Sequence, residues 1–318
     1  LLIMEAVDSG KIALTDTVTA SEAAAAKGGS QIYLKAGETM SVSDMLKSIA
    51  VSSANDCACA MAEHIAGSES AFVAMMNQRA QELGMNDTSF VNCTGLDDGA
   101  DAVNHRTSAY DIALMSRQLL KYHPLIKNYT TIWMDTVRGG TFGLSNTNKL
   151  IRFYSGATGL KTGFTSGAGY CLSASAMRDG MELIAVVMGA ETSQSRNAAC
   201  KSLLDYGFAN WSVATPQVPP EALAPIPVLN GMSEQVETTV TADGVMLIPK
   251  GKDAEIQYQI SVGENLTAPV EEGQVLGKIT CILDGEGLKE YNILAKTSIP
   301  EITFSSVFQL LFRQLVSM

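Results

Sequence analysis

The sequence predicts an α+β fold, in which helices pack on an antiparallel sheet, followed by a small all-β domain. Hydrophobic residues first recur with the period of a helix, then alternate with the period of a strand over 158–188, and return to a helical period at 194–206. Helices, then a run of antiparallel strands, then a helix is the element order of an α+β domain. Beyond residue 216 only short strand patterns follow.

The composition is that of a globular protein with room for two domains. The 318 residues are 46% hydrophobic and 17% charged, which excludes a disordered chain. The net charge of −11 argues against a nucleic-acid partner, because such proteins carry a basic stripe. A polyanionic cell wall is not excluded, because a local basic site can lie on an acidic protein.

The first 120 residues predict a succession of helices. LLIMEAVDSGKI predicts a helix that ends at Ser9-Gly10, with no capping residue, initiator Met or signal peptide before it. This beginning favours a chain that was cut upstream. Two helices are predicted over 43–65, broken at SSAND, where the short side chains of Ser53 and Asn55 are expected to cap a helix start. Further helices are predicted at 70–83 and from Ser108, which opens a capping box, to Leu120.

Strands and one more helix complete the first predicted domain. Alternating apolar residues predict strands at 158–165, 170–177 and 182–188. Arg178-Asp179-Gly180 between the last two strands indicates a hairpin. The helix at 194–206 is expected to end at Gly207.

The composition changes after Trp211. Prolines crowd residues 216–227 and indicate a linker. Short strands without a cluster of titratable residues are predicted at 236–240, 245–248, 256–262 and 275–283. The predicted segments are therefore 1–212, a small β-rich domain at 213–300, and a C-terminal segment at 301–318.

The C-terminal segment SSVFQLLFRQLVSM predicts an amphipathic helix. Ser305, Gln309, Arg313 and Ser317 follow one another at i+4 spacing, and Phe308, Leu311, Phe312 and Leu315 form another face. Fourteen residues are too few for a membrane span, which needs about 20. An anchor lying in the membrane interface is favoured over a helix docked on its own protein or the start of a longer segment.

The cysteines and histidines do not predict a metal site or cofactor. None of the six cysteines forms a Cys-x-x-Cys pair, and no histidine lies at ligand spacing from them. Most occur in apolar runs, so buried free thiols are favoured over a disulfide. His64 is expected at the surface or at a helix end, which gives little support to histidine-based serine chemistry.

Two short motifs remain after the common catalytic patterns are excluded. No Gly-x-Ser-x-Gly, Gly-x-x-x-x-Gly-Lys, Gly-x-Gly-x-x-Gly or His-Glu-x-x-His occurs. What remains is Ser53-Ala54-Asn55 and Lys161-Thr162-Gly163. Lysine and glycine are poor strand residues, and a solvated lysine on a surface strand is the plain alternative.

With its surroundings, this pair of motifs resembles the D-alanyl-D-alanine carboxypeptidases, the low-molecular-weight penicillin-binding proteins. The resemblance extends through SSAND, FVNCTGLDD, HRTSAYDIALMSRQLL, NTNKL, GLKTGFTSGAGYCLSASA and VVMGAETSQSR. It implies a β-lactamase/transpeptidase-like catalytic domain. The β-rich region and the amphipathic tail also resemble the family's second domain and membrane anchor.

The resemblance implies a carboxylate clamp on the lysine strand. Lys161 would attract the terminal carboxylate of the substrate and lower the pKa of neighbouring amines. Thr162 would hydrogen-bond that carboxylate, and Gly163 would let the substrate backbone approach the strand edge. Arg196 aligns with a family arginine near the carboxylate pocket; the alternative is a surface helix residue.

The remaining implied roles concern the reaction itself. Ser53 would relay a proton to the leaving D-alanine, and Asn55 would hold the catalytic lysine and the substrate amide. The N–H of Phe164 would be one donor of the oxyanion hole, and the N–H of the nucleophile the other.

The sequence departs from the family at its nucleophile. The family's Ser-x-x-Lys supplies an attacking serine and a lysine that takes its proton, but none of the 318 residues forms this motif. Thr158-x-x-Lys161 comes nearest, and it would remove the lysine from its clamp. We expect the nucleophile a few residues before Leu1, and these residues alone to be unable to acylate.

The sequence therefore predicts a serine D-Ala-D-Ala carboxypeptidase that trims peptidoglycan pentapeptides and is inhibited by β-lactams. It is expected on the extracytoplasmic face of the bacterial membrane, with stem peptides, β-lactams and the membrane surface as partners. A β-lactamase or wall endopeptidase on the same fold, and a non-catalytic wall-binding protein, are the alternatives.

Overall fold

The structure, a computed structural model, describes residues 1–97, 101–263 and 266–316, with the backbone alone at positions 310, 311 and 313–316. The chain divides into two compact units, Leu1–Ala209 and Asn210–Met318. Helices accompany antiparallel sheets, which confirms the predicted α+β class.

The predicted helices form, with small changes at their ends, and short helices that were not predicted occur at 22–25, 127–130 and 150–153. The helices are α1 (Leu2–Asp8), α2 (Glu22–Ala25), α3 (Val42–Ser52), α4 (Asn55–Ala66), α5 (Glu69–Glu82), α6 (Ala109–Tyr122), α7 (Lys127–Thr130), α8 (Leu150–Phe153), α9 (Ser193–Asn210) and α10 (Phe304–Val316). The hydroxyl of Ser108 accepts the N–H of Asp111, which is one half of the predicted capping box. The Asp111 carboxylate binds Asp87 N and Thr88 Oγ1.

The strands of the first unit lie in three antiparallel groups. They are β1 (Thr17–Thr19) with β2 (Thr39–Ser41), β3 (Met134–Val137) with β4 (Phe142–Ser145), and the sheet β5 (Ala157–Thr165), β6 (Gly169–Arg178) and β7 (Met181–Ala190). The last sheet has the order β5-β6-β7, and the predicted hairpin turns at Asp179-Gly180, both at positive φ. The three strands predicted at 158–165, 170–177 and 182–188 are confirmed.

Helices cover the β5-β6-β7 sheet. Ser116 on α6 bonds Ser173 on β6, whereas Cys200 on α9 lies against Leu172, so neighbouring β6 residues contact different helices. The predicted end of α9 at Gly207 is wrong, because the helix continues to Asn210. A Cβ at Gly207 would clash with the Leu183 side chain, so this glycine permits close packing of the helix on the sheet.

The core of the first unit lies between the helices that follow β2. Met45 on α3 and Cys57 and Met61 on α4 are fully buried in one apolar cluster. A second cluster joins Met4 of α1 to Leu46 of α3 and Leu160 of β5. The second cluster holds α3 against the lysine-bearing strand, and the first holds α4 against α3.

The second unit is built from strands, as predicted, but not all of its described strands were predicted from the sequence. Its strands are β8 (Trp211–Ala214), β9 (Ile226–Pro227), β10 (Gln235–Val236), β11 (Thr238–Val240), β12 (Met246–Pro249), β13 (Gln257–Val262), β14 (Val275–Leu283) and β15 (Glu286–Ala295). Four form a sheet of order β11-β15-β14-β13, around buried Ile279 and Ile293. β8, β9 and β15 were not predicted, and β15 follows the turn at Asp284-Gly285.

The C-terminal segment forms the predicted helix, α10. Phe304, Phe308 and Phe312 are exposed along one side, with successive ring centroids 6.3 and 6.4 Å apart. Ser317, and the side chains of Leu311, Arg313 and Leu315, lie outside the described residues. Among the residues that the structure describes, no helix combines the length and the hydrophobicity needed to cross a bilayer.

Candidate active site

Lys161 extends from the middle of β5 towards the end of α3. Its Nζ donates to Ser53 Oγ at 2.7 Å and to the Thr162 carbonyl at 2.8 Å. Lys161 is paired with Ser173 on β6, so both side chains lie on the sheet face that α6 covers. The lysine is half-buried, which excludes the solvated surface lysine considered as the alternative.

The surroundings of Lys161 weaken its hold on a proton. Burial of the ammonium group, aided by the positive charge of Arg196, lowers the Lys161 pKa to about 8. The group therefore keeps most of its positive charge at neutral pH. A half-buried cation of this kind binds a carboxylate more strongly than a solvated one, because less water competes.

Ser53 occupies a special backbone position between two helices. It follows the last residue of α3 in the left-handed conformation, with φ 60° and ψ 39°. The expectation that Ser53 caps the next helix is wrong: Ala54 is the N-cap residue of α4, and the Ser53 hydroxyl contacts Lys161 instead. The left-handed turn brings this hydroxyl to the strand.

Asn55 begins α4 and is held by the loop before β2. Its Nδ2 donates to the Gly28 carbonyl at 2.9 Å, and its backbone N–H donates to the Ser30 carbonyl at 2.8 Å. Gly29 lies between these acceptors at φ 72°, and a Cβ there would come within 2.8 Å of Asn55 Nδ2. The loop thus needs a glycine to approach the Asn55 amide.

Thr162 contacts a residue that the sequence reasoning did not assign to the site. Its hydroxyl lies 2.6 Å from that of Thr147, whose backbone N–H donates to the Val51 carbonyl of α3. Buried Asn146 and Asn148 fix this segment by bonding carbonyls of Thr130, Ile132 and Gly159. The signal was present in the NTNKL segment, where two buried asparagines flank a threonine.

Arg196 lies on α9 and is buried, which excludes a surface helix residue. Its guanidinium donates to Asn197 Oδ1 at 3.0 and 3.1 Å and reaches the Cys171 carbonyl of β6 at 3.5 Å. Burial lowers the Arg196 pKa. The structure thus brings Ser53, Lys161 and Thr162 into one chain of contacts, with the Arg196 charge near Lys161.

Gly163 and Phe164 continue β5 beyond Lys161 and Thr162. A Cβ at Gly163 would meet only Cys171 Cβ, at 3.8 Å, so this edge is sterically open. The Phe164 side chain is 59% exposed, and its ring lies 4.3 Å from that of Tyr170. The oxyanion-hole role of the Phe164 N–H stays a prediction.

A cavity of about 290 Å³ borders Lys161, Thr162 and Gly163. Its walls are mostly apolar and include Ile112 and Met115 of α6. An apolar cavity with one cation and a few hydroxyls at one end suits a small molecule that carries a carboxylate. In the part of the chain that the structure describes, the side chains grouped closely enough to hold a metal are Cys59, Glu69 and Cys93, none of which belongs to this cavity.

Comparison with known proteins relates both units to one family. Residues 1–192 match the family model described as D-alanyl-D-alanine carboxypeptidase. Residues 220–301 match that of the C-terminal domain of penicillin-binding protein 5.

Individual relatives cover most of the chain. D-alanyl-D-alanine carboxypeptidase DacF of Bacillus subtilis is 44% identical over 308 residues, which cover 96% of this chain and 78% of the relative. DacA of Escherichia coli is 34% identical over 313 residues, covering 95% and 76%. The crystal structure of penicillin-binding protein 5 from Haemophilus influenzae superposes with a TM-score of 0.76 at 33% identity, covering 94% of this chain and 87% of that one.

Proposed function

Because this chain belongs to the D-alanyl-D-alanine carboxypeptidase family, a family of serine peptidases, we propose that the site around Lys161 binds the D-Ala-D-Ala end of peptidoglycan stem peptides. The supporting observation is the Lys161 ammonium group, held 2.7 Å from Ser53 Oγ beside an apolar cavity. It supplies a fixed positive charge where a terminal carboxylate would enter.

In this proposal the carboxylate is bound by groups of β5 and α9. Lys161 and the Thr162 hydroxyl donate to its oxygens, and the Arg196 charge adds to the attraction. Gly163 leaves room for the substrate backbone along the β5 edge, where the N–H of Phe164 stabilises the oxyanion. Thr147 orients the Thr162 hydroxyl through their 2.6 Å contact.

Ser53 and Asn55 serve the proton transfer. In the acyl-serine pathway a serine oxygen attacks the carbonyl between the two D-alanines, the C–N bond breaks, and the leaving amine takes up a proton. Ser53, already bonded to Lys161, relays this proton. Asn55 holds the substrate amide and the general-base lysine, from a position fixed by Gly28. Water then hydrolyses the ester.

The attacking serine and its general-base lysine belong to a Ser-x-x-Lys motif, which these 318 residues do not contain. Tested by themselves, the residues are expected to bind a stem peptide without hydrolysing it. β-Lactams, which carry a carboxylate beside a strained amide, are expected to enter the same clamp and to inhibit the complete reaction.

The binding proposal is tested by calorimetric titration with a tripeptide that ends in D-Ala-D-Ala and with its L-Ala-L-Ala isomer. We expect the D isomer to bind more tightly, and Lys161→Ala to weaken its binding by at least about tenfold, the value of one charged hydrogen bond. Lys149→Ala, at an exposed lysine, is the matched control and should bind as the unmodified chain does. Equal binding by the two alanine variants would refute the clamp.

A second measurement tests the assignment of the nucleophile. Fluorescent penicillin incubated with these 318 residues should give no covalent adduct after denaturing electrophoresis, because the acylating serine is missing from them. A fluorescent band that survives denaturation, with penicillin attached to Ser53 or to another residue of this chain, would contradict that assignment. It would leave the binding measurement unaffected.

We further propose that α10 anchors the protein to the outer surface of the cell membrane. Three exposed phenylalanines on one side of the helix, Phe304, Phe308 and Phe312, support an interfacial position. An enzyme that acts on peptidoglycan outside the cytoplasm would be kept near its substrate in this way.

A further inference from the structure

Two thiols and a carboxylate meet in a part of the first unit that the peptide site does not use. Cys59 lies on α4, Glu69 is the first residue of α5, and Cys93 lies in the loop after α5. Cys93 Sγ is 3.2 Å from Glu69 Oε1, and Cys59 Sγ is 3.9 Å from Glu69 Oε2. The two sulfur atoms and a carboxylate oxygen all lie within 4.8 Å of one another.

We propose that Cys59, Cys93 and Glu69 form a binding site for a thiophilic divalent cation, with Zn²⁺ as the physiological candidate. Thiolate sulfur and carboxylate oxygen are established zinc ligands, at about 2.3 and 2.1 Å. Ligand atoms around a tetrahedral zinc ion are then about 3.5 to 3.8 Å apart. The present spacing needs only a small contraction to reach these distances.

The charges around the three ligands suit a divalent cation. Lys27 Nζ lies 2.6 Å from Glu69 Oε2, which leaves Oε1 towards Cys93. When Zn²⁺ binds, the two thiols become thiolates and release two protons. The ion, two thiolates, Glu69 and Lys27 then sum to zero charge, as the cluster does before binding.

Space for a further ligand lies beside the cluster. Lys27 and Glu69 also line a cavity of about 450 Å³, whose described walls include Asn92 and Thr94. Water in this cavity would complete a four-coordinate ion. Cys59 itself is fully buried and Cys93 is half-buried, so the ion would have one protected and one accessible side.

The position of Glu69 distinguishes a metal site from a pair of thiols prepared for a disulfide. A disulfide needs two sulfur atoms and no acceptor, whereas here each carboxylate oxygen faces a different thiol.

The cluster connects four segments of the first unit, including the loop that holds Asn55. Lys27 precedes Gly28, whose carbonyl accepts the Asn55 amide. An ion bound to Glu69, Cys59 and Cys93 would join α4, α5 and the loop after α5, with Lys27 held against them. We therefore assign the ion a structural role, in which it stabilises the part of the fold beside Asn55.

Metal binding is tested on the whole chain, purified with a non-chelating reductant and freed of metal. Addition of Cd²⁺ should produce thiolate charge-transfer absorption that saturates at one ion per chain. Zn²⁺ should compete for the same site, release protons, and bind more tightly as the pH rises from 6 to 8. At free Zn²⁺ about 100 times Kd, the melting temperature of the first unit should rise by about 5 to 10 °C.

Matched variants on one helix assign the ligands. Cys59→Ala should abolish the absorption and the thermal shift, whereas Cys57→Ala, at an equally buried cysteine of α4, should keep both. Cys93→Ser and Glu69→Gln alter half-buried positions and provide the same test if Cys59→Ala does not fold.

Three results would overturn the proposal. One is the same melting temperature with Zn²⁺ and with a chelator. Another is loss of binding in Cys57→Ala but not in Cys59→Ala. The third is a Cys59–Cys93 disulfide in protein purified without reductant, together with no metal binding after its reduction.

Discussion

At the residue scale, Lys161 is a cation that burial disfavours and whose immediate contacts are uncharged. Ser53 Oγ and the Thr162 carbonyl accept its hydrogen bonds, and neither carries a charge. The nearby positive charge of Arg196 lowers its pKa further. An incoming carboxylate would relieve both effects, because it supplies the missing negative charge.

This balance predicts an alkaline limit to ligand binding. Below a pH of about 8 Lys161 is charged, as the proposed carboxylate binding requires. Above that pH the charge is lost, and the affinity for the peptide should fall by up to tenfold per pH unit. Lys161→Arg, which stays charged, should show no fall up to pH 9.5. Calorimetric titrations of the unmodified chain and of Lys161→Arg between pH 6.5 and 9.5 measure the affinity below and above this pH.

The free energy of unfolding should rise with pH over the same range in which the affinity for the peptide falls. The folded pKa of Lys161 is below its unfolded value of 10.5, so the unfolded chain binds more protons between pH 8 and 10.5. The contribution of this lysine to stability therefore rises with pH over that range. Comparing the pH dependence of unfolding with that of Lys161→Met isolates the contribution. If the affinity for the peptide in the calorimetric titrations did not change with pH, the proposal that Lys161 binds the carboxylate would be contradicted.

The left-handed backbone conformation of Ser53 lowers the stability of the folded chain. A non-glycine residue in the left-handed conformation is less stable there than glycine by about 1 kcal/mol. Ser53→Gly and Ser53→Ala both remove the hydroxyl, but only glycine relieves the backbone. We expect the glycine variant to be more stable than the alanine variant by about 1 kcal/mol in urea unfolding. Equal stability would mean that the turn is unstrained.

At the element scale, positions that interrupt a pattern are explained by neighbouring elements. Gly207 is expected to end α9, yet the helix passes through it. Leu183 of β7 leaves no room for a Cβ at this position, which explains why a glycine lies within the helix. Ser53 is expected to begin a helix, yet it follows one. In both cases the residue contacts an element that is distant in the chain. Helix signals read along the chain do not contain such contacts.

The aromatic side of α10 gives a test at this scale. Phe308→Ser should weaken sedimentation with phospholipid vesicles by about tenfold or more, since burying a phenylalanine contributes about 1.5 to 3 kcal/mol. Phe153→Ser removes an equally exposed ring from the first unit and should sediment as the unmodified chain does. If the two variants behave alike, α10 does not anchor the protein.

At the scale of the whole molecule, the position where the second unit begins is decided by strand pairing. A boundary after residue 212 is predicted from composition, but β8 spans Trp211–Ala214 and pairs with β12 along its full length. The Asn210 carbonyl also accepts the Lys250 N–H. We therefore propose that an independently folding second domain includes residues from Asn210 onward.

Two truncations test this boundary. A chain that begins at Asn210 should fold by itself, and one that begins at Thr215 should be less stable by about 1 to 4 kcal/mol, because four cross-strand pairs are lost. Thermal unfolding followed by circular dichroism measures the difference. Equal stability of the two chains would place the boundary after β8.

The sequence by itself determined the longer helices, the strands β5, β6 and β7, the family resemblance and the residues of the Lys-Thr-Gly strand. These follow from hydrophobic periodicity and from short motifs, which are local in the chain. It did not assign the short elements β1–β4, β8, β9, α2, α7 and α8, nor β15, whose glycine and charged residues break the strand pattern, and it gave Thr147 no role.

Only the tertiary structure decided which side chains meet. Ser53 and Lys161 are 108 residues apart in the chain and 2.7 Å apart in space, and Cys59, Glu69 and Cys93 converge from three segments. No spacing along the chain contains this information, because it arises when α3 packs against α4 in one apolar cluster and against β5 in another. Burial then sets the Lys161 pKa, since desolvation exists only in the folded protein.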